Sequence, residues 1–285
     1  GKTINSNCQI EFQVQKNEVP WEELKKQNPY SFSIIESPEK LFGRNEILDE
    51  LKSNILSENI ESYKLWGQKR VGKSSIVKTL KSILENVEKT IVIYRPLGGL
   101  RNTEAINTLN SLGRSLCSEI YEEIDRKIIS PSLRERLRAI EVPTFNGSLF
   151  PLEDYLKQLR RIDNSLKFVF ILDEFDRINE EFFLPGNLGE TLSLSIGKGL
   201  NENKFIGFIL VGSENMHLLD RQGINYNSYR QKEVDTFNKQ WEYNSFVQIV
   251  NGPVSPYINF SEEAIDKIFN QSNGNPYFAN LICAE

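Results

Sequence analysis

The stretch Gly67-Gln68-Lys69-Arg70-Val71-Gly72-Lys73-Ser74 satisfies every fixed position of G-x-x-x-x-G-K-[ST]. It follows Tyr63-Lys64-Leu65-Trp66, which reads as a short strand. It precedes Ile76, Val77, Leu80, Ile83 and Leu84, which fall on one face of a helix. Glycines let such a backbone curl until successive N–H groups converge on an anion at a helix N-terminus. The spacing therefore predicts that Gly67, Gln68, Lys69, Arg70, Val71 and Gly72 form a phosphate cradle. Lys73 is expected to reach the β- and γ-phosphates, and the Ser74 hydroxyl to take a Mg²⁺ position.

Working outward, Ile47, Leu48, Leu51, Ile55 and Leu56 give a helix before the loop. Ile91-Val92-Ile93-Tyr94 gives a strand after it, and Leu109, Leu112, Leu116, Ile120 and Ile124 mark a long helix beyond. Two further runs, Phe168–Leu172 and Phe205–Val211, are apolar without interruption. A strand apolar on both faces is covered on both, as parallel strands are. The alternation predicts an α/β fold, a P-loop parallel sheet flanked by helices. After about residue 238 the strands cease, and a small helical lid is expected. Trp241, Phe246, Ile249 and Val250 suggest one helix and Ala264, Ile265, Ile268 and Phe269 another, with Ser261 as its N-cap. Gly274 is placed to end that helix, and Asn275 and Pro276 to start the next. The expected organisation is a lead-in segment over 1–40, with a half-buried strand at Gln9–Gln15, an α/β domain over 41–237 and the lid over 238–285.

Phe168–Leu172 runs directly into Asp173-Glu174-Phe175-Asp176, and the carboxyl ends of parallel strands are where such sheets place ligands. Asp173 is expected to hold Mg²⁺, usually through water. Glu174 is suited to polarise the water that attacks a γ-phosphate, which points to a hydrolase. Asp176, beyond the strand end, is assigned a solvated or structural role. At the tip of the second apolar strand, Ser213 is the first choice for a γ-phosphate contact and Asn215 the second. The other reading of both is turn residues capping the next helix.

Composition narrows the function classes. Of 285 residues, 39% are hydrophobic and 26% charged, which describes a globular chain. No uncharged apolar run reaches the roughly 18 residues of a membrane span. With 34 Lys and Arg against 39 Asp and Glu, the net charge of -5 implies no broad basic surface, so a nucleic-acid partner is not supported. The arginines of Ser132–Arg138 alternate with acid and read as a solvated helix face. Cys8, Cys117 and Cys283 are far apart, which fits reduced thiols in the cytoplasm. His217 is the single histidine, which disfavours histidine triads and multi-histidine metal centres. No signal-peptide pattern is seen. The closing helix at Tyr277–Glu285 reads as one still burying a face, so a larger polypeptide is expected.

Taken in order, Leu41-Phe42-Gly43-Arg44, Gly67 to Ser75, Asp173-Glu174 and Gly274-Asn275-Pro276 make residues 28–285 resemble STAND-class ATPases. These belong to the AAA+-related P-loop group, with archaeal-type ATPases, origin-recognition-like proteins and NLR-like sensors. The resemblance implies that Phe42, Gly43 and Arg44 line one side of an adenine pocket and Pro276 the other, and that Ser75 belongs to the phosphate loop. It implies ATP and ADP as ligands with Mg²⁺, and a regulatory switch that associates with itself or with other domains of its polypeptide, in defence or stress signalling. NLR-like members often carry Arg where this chain has Ser213-Glu214, and no arginine finger is identified: Arg177, Arg221 and Arg230 are candidates, each read first as a surface charge. Adenine is preferred over guanine because Asn238-Lys239-Gln240-Trp241 has Trp where a base-reading Asp is needed. Two other functions stay open: the ATPase core of an origin-recognition-like or transposition-helper DNA-handling protein, and a nucleotide-binding module with negligible turnover.

Overall fold

Apolar segments that are buried on two faces need helices on both, and the sheet is arranged accordingly. The structure, a computed structural model, describes residues 19–30, 32–98, 105–177, 192, 195–216, 228–255 and 257–285, excluding the side chains of 25, 105, 106, 198 and 199. The strand expected at Gln9–Gln15 lies outside these residues, as do Cys8, His217 and Arg221. Strands β1 (Tyr63–Trp66), β2 (Thr90–Pro96), β3 (Lys167–Asp173), β4 (Ile206–Val211) and β5 (Arg230–Glu233) form one sheet. Its order is β2-β3-β4-β1-β5, with every pairing parallel.

Alternate residues of the central strands divide between two cores. Ile91, Ile93, Phe168, Phe170 and Phe208 pack with Leu112, Leu116 and Ile120 of α4 (Ala105–Lys127) and with Leu152, Leu156 and Leu159 of α6 (Phe150–Ile162). Between α4 and α6 lies α5 (Pro131–Arg138). Val92, Val169, Ile171 and Ile209 face the other way, onto Leu48, Leu51 and Ile55 of α2 (Asn45–Leu56) and Ile76, Val77 and Leu80 of α3 (Lys73–Leu84). Each such fully buried side chain contributes about 1.5–3 kcal/mol, so both layers hold the strand ends in fixed register. The preceding helix is α1 (Trp21–Lys26).

A third core lies among α7 (Tyr243–Asn251), α8 (Glu262–Ser272) and α9 (Pro276–Ala284). It gathers Phe246, Ile249, Val250, Ile265, Ile268, Phe269 and Ala279, and Phe237 enters it from the segment after β5. The expected caps are present. Ser261 Oγ accepts from Ala264 N, and Asn275 Oδ1 accepts from Tyr277 N and Phe278 N ahead of Pro276. The described part of the lead-in straps both units. Tyr30 Oη donates to Val250 O at 2.6 Å, and Ile35 N donates to Ser75 Oγ at 3.1 Å.

Two local expectations are corrected, and one strand was missed. Strand β5 was not foreseen, because Arg230-Gln231-Lys232-Glu233 carries no apolar residue; as an edge strand it pairs with β1 and is tied down by ion pairs of Lys232 with Glu50 and Arg230 with Glu61. Trp241 is not part of the helix with Phe246. It is 73% exposed, because the turn ahead of α7 closes on its own polar groups: Asn238 N donates to Glu242 Oε2 and Gln240 N to Asn238 Oδ1. Nor is the face of α5 purely solvated. Arg134 donates to Ile128 O, Arg138 pairs with Asp125, and Leu137 is buried.

Candidate functional site

The loop between β1 and α3 adopts a backbone that its glycines permit. Gly67 has φ 149°, Arg70 φ 67° and Gly72 φ 99°. A Cβ at residue 67 would stand 2.0 Å from the Val234 carbonyl oxygen, so only glycine fits where the loop leaves the sheet. Gly72 caps α3 in the left-handed region with no side chain over the helix start, and buried Val71 anchors the loop from beneath. Lys73 folds back along the loop, donating to Gly67 O at 2.8 Å and to Gln68 O. Burial pulls its ammonium below the usual lysine range, against the opposing pull of Asp176, Asp173 and Glu214. Ser74 follows as the second residue of α3, while the Ser75 hydroxyl is engaged by the backbone of Ile35. Gln68, Lys69 and Arg70 are exposed, and the Arg70 guanidinium lies 4.3 Å from the Tyr277 ring centroid.

The acids lie two strands from the loop, with the tip of β4 between them. Asp173 is 4% exposed. Its Oδ2 accepts from Tyr94 Oη at 2.7 Å and its Oδ1 from Glu174 N at 2.8 Å, so the carboxylate is oriented at both oxygens. Burial, reinforced by Asp173, raises the Tyr94 phenol well above its ordinary value. Glu174 has φ 54° and pairs with Arg177 at 2.5 Å. Asp176 accepts from the Ser213 hydroxyl, and Ser213 Oγ accepts in turn from Asn215 N at 3.2 Å. Ser213 therefore joins the acidic turn and also caps its own loop; sequence reasoning did not foresee its link to Asp176.

The third group is the joint between the sheet and the C-terminal helices. Arg44 is 5% exposed, donating to Val71 O at 3.3 Å and Asp235 O at 2.5 Å. It lies 3.8 Å over the Phe237 ring and 3.6 Å from Glu242. Burial brings its pKa down to about 10, with Glu242 and Asp235 opposing, so it stays charged at neutral pH. Its buried Nε has no hydrogen-bond partner among the described residues. Phe42 packs on Gly252 instead, and Gly43 lies against Phe237 and Ser245. Gly274, at φ 67°, accepts from Phe237 N at 2.9 Å. Pro276 then opens α9, and Tyr277 beside it is the ring over which Arg70 lies. Asp235, Phe237 and Glu242 were missed. Their only signal was position, between an unrecognised polar strand and a recognised helix. A cavity of about 390 Å³ opens there, lined in part by Asp235, Thr236, Phe237, Trp241 and Glu242; it lies at the joint and not at the phosphate loop.

No protein-family model matches the chain, and no curated protein matches it. Solved structures do share its fold. Cdc6p from Pyrobaculum aerophilum is similar with a TM-score of 0.51 at 17% identity, over 87% of this chain and 62% of that one. ORC1 of Aeropyrum pernix, solved in complex with DNA, gives 0.52 at 13% identity, over 87% and 60%. ORC2 of Aeropyrum pernix in ADPNP-ADP complexes gives 0.50 at 15%, over 88% and 64%. The chain thus spans less than two thirds of each of these structures. The likeness shows the fold, a P-loop parallel sheet flanked by helices and followed by a helical region. Among the described residues, no helix is long and apolar enough to cross a membrane.

Proposed function

We propose that the chain is an ATP-binding, Mg²⁺-dependent ATP-hydrolysing switch module of a larger STAND-like cytoplasmic protein. The α/β domain would occupy 41–237 and the lid 238–285. The observation that carries this reading is the curled loop at Gly67–Gly72 with Lys73 folded onto its carbonyls, beside a strand tip and an oriented buried aspartate. The donor set fits the ligands. Ser74 and Asp173 offer the hard oxygens that Mg²⁺ takes, and each Asp173 oxygen that accepts one hydrogen bond keeps a further lone pair. Bound Mg²⁺ would offset charge developing on the phosphates.

In this reading Lys73 exchanges the Gly67 and Gln68 carbonyls for phosphate oxygens. Glu174 takes a proton from the attacking water, and Ser213 contacts the γ-phosphate or that water. Gln68 to Val71 supply backbone donors, while Arg44, with Phe42, Gly43 and Pro276, shapes the base side. Nucleotide state would then bias the helical unit relative to the sheet, and self-association or neighbouring domains would read it.

The test is binding of labelled ATP. Lys73→Ala is expected to weaken it about 10- to 100-fold, as loss of a charge-assisted contact at a half-buried site does. A folded variant that binds as wild type does would overturn the assignment of the loop. A second reading, the ATPase core of a DNA-handling protein, is favoured by one observation, the likeness to an ORC1 structure solved with DNA. Salt-dependent retention of the full-length protein on DNA would select it.

A further inference from the structure

The cavity at the joint has a lining of its own. Asp235 reaches it from the end of β5, Trp241 and Glu242 from the turn ahead of α7, and Phe269 and Asn273 from the last turn and cap of α8. Among the described residues that line it there is none of the phosphate loop, and none of Phe42, Gly43 or Pro276. Its volume of about 390 Å³ is that of a site for a small ligand or one inserted side chain, and such sites favour seams between structural units.

This corner of the molecule holds positive groups against rings. The Arg44 guanidinium lies 3.8 Å over Phe237, with Glu242 3.6 Å away. The Lys239 ammonium lies 5.7 Å from the Tyr243 ring and 5.9 Å from that of Phe269, and it pairs with Asp266 at 3.1 Å. Each cation thus has a ring beneath it and a carboxylate beside it. One ring and one carboxylate are left over. Trp241 is exposed, and among the described residues no cation lies over its indole. Asp235 forms no ion pair among these residues; its Oδ1 accepts from Thr236 N at 2.7 Å, and its Oδ2 keeps its accepting capacity.

The charges decide the sign of the ligand. Arg44 is met by Glu242, and Lys239 by Asp266, so the carboxylate of Asp235 is left uncompensated at the cavity. An anion would be repelled there and a cation neutralises it. Indole holds a cation better than the other aromatic rings do. A planar guanidinium can stack on that ring while its edge N–H groups reach a carboxylate, which a compact ammonium cannot do.

We propose that the cavity is a second binding site, which takes a guanidinium group stacked on Trp241 and donating to Asp235. Two sources share this chemistry, a free guanidino compound and an arginine side chain of a partner protein. Because the lining comes from β5, the turn before α7 and the end of α8, the bound group would brace the sheet against the helical unit.

The experiment is calorimetric titration of the full chain without nucleotide, so its outcome does not depend on the reading of the phosphate loop. The probes are agmatine and an acetylated, amidated Gly-Arg-Gly peptide; the control is the same peptide with neutral citrulline in place of arginine. Both cationic probes are expected to bind saturably and the citrulline peptide not to bind. Trp241→Ala should weaken binding about 3- to 30-fold, the span of cation–π contacts, and Trp241→Phe should fall between it and wild type. Asp235→Asn should weaken it about three- to five-fold, the scale of an exposed ion pair. Both side chains are exposed, so these variants keep the fold. Tighter binding of agmatine assigns the site to a free small molecule, and tighter binding of the peptide to a partner's arginine. The absence of saturable binding by either probe overturns the proposal. So does binding that Trp241→Ala and Asp235→Asn both leave unchanged, or that the citrulline peptide matches.

Discussion

The carboxyl ends of β3 and β4 and the joint after β5 border the same loop, yet they are built from different interactions. At the strand ends the contacts are between side chains that can trade partners: Lys73 with loop carbonyls, Glu174 with Arg177, Asp176 with Ser213. At the joint, beside the cavity, backbone lies against backbone, Gly67 on Val234 and Gly274 on Phe237, with Arg44 held by two carbonyls between them. Polar side chains that already have substitutes at hand can reorganise at little cost, whereas close-packed backbone transmits a displacement instead of absorbing it. In the proposed reading, the first region would carry the chemistry and the second would pass on its result.

This contrast can be broken at either end. The largest effect is expected from Glu174→Gln, which keeps shape and removes the base: turnover should fall about 100-fold or more while ATP affinity stays close to wild type. Phosphate release measured beside ATP binding checks it, and unchanged turnover would remove Glu174 from the mechanism. Arg44→Ala acts at the joint. It leaves the Val71 and Asp235 carbonyls without their donor and Glu242 without its cation, and should cost about 3 kcal/mol in urea unfolding. A loss below 0.5 kcal/mol, the ordinary scatter of surface substitutions, would show that Arg44 does not brace the joint. Gly274→Ala should cost about 2 kcal/mol, from a side chain at positive φ whose Cβ would stand 2.3 Å from Phe237 O. Proteolysis that attacks α7 to α9 before the sheet would place that loss at the joint, whereas simultaneous cleavage would contradict the distinction drawn between the regions.

The strand-end region was largely legible in the sequence, and the joint was not. Gly67 to Ser74 forms a local motif whose geometry depends on neighbours in the chain, and the runs at Phe168–Leu172 and Phe205–Val211 announce burial on both faces. Caps at Ser261 and Asn275 could be read for the same reason, since each bonds within three residues. By contrast, β5 takes its conformation from pairing with β1, more than 160 residues earlier in the chain, and its polar sequence gives no period to read. Helix α6 went unread although Leu152, Tyr155, Leu156 and Leu159 carry the helical spacing. Arg44 was named through a resemblance, but its contacts with Val71, Asp235 and Phe237 depend on tertiary packing.

Because all five strands of the sheet run the same way, their amino ends lie at the edge opposite Asp173. The turn between α3 and β2 is there, with Asn86 and Glu88 exposed, roughly 20 Å below the acids by the rise of a seven-residue strand. A dye or surface tether attached at that turn would leave the rim that carries Lys73 and Asp173 unobstructed, so the chain could be held there while ligands are offered to the opposite edge.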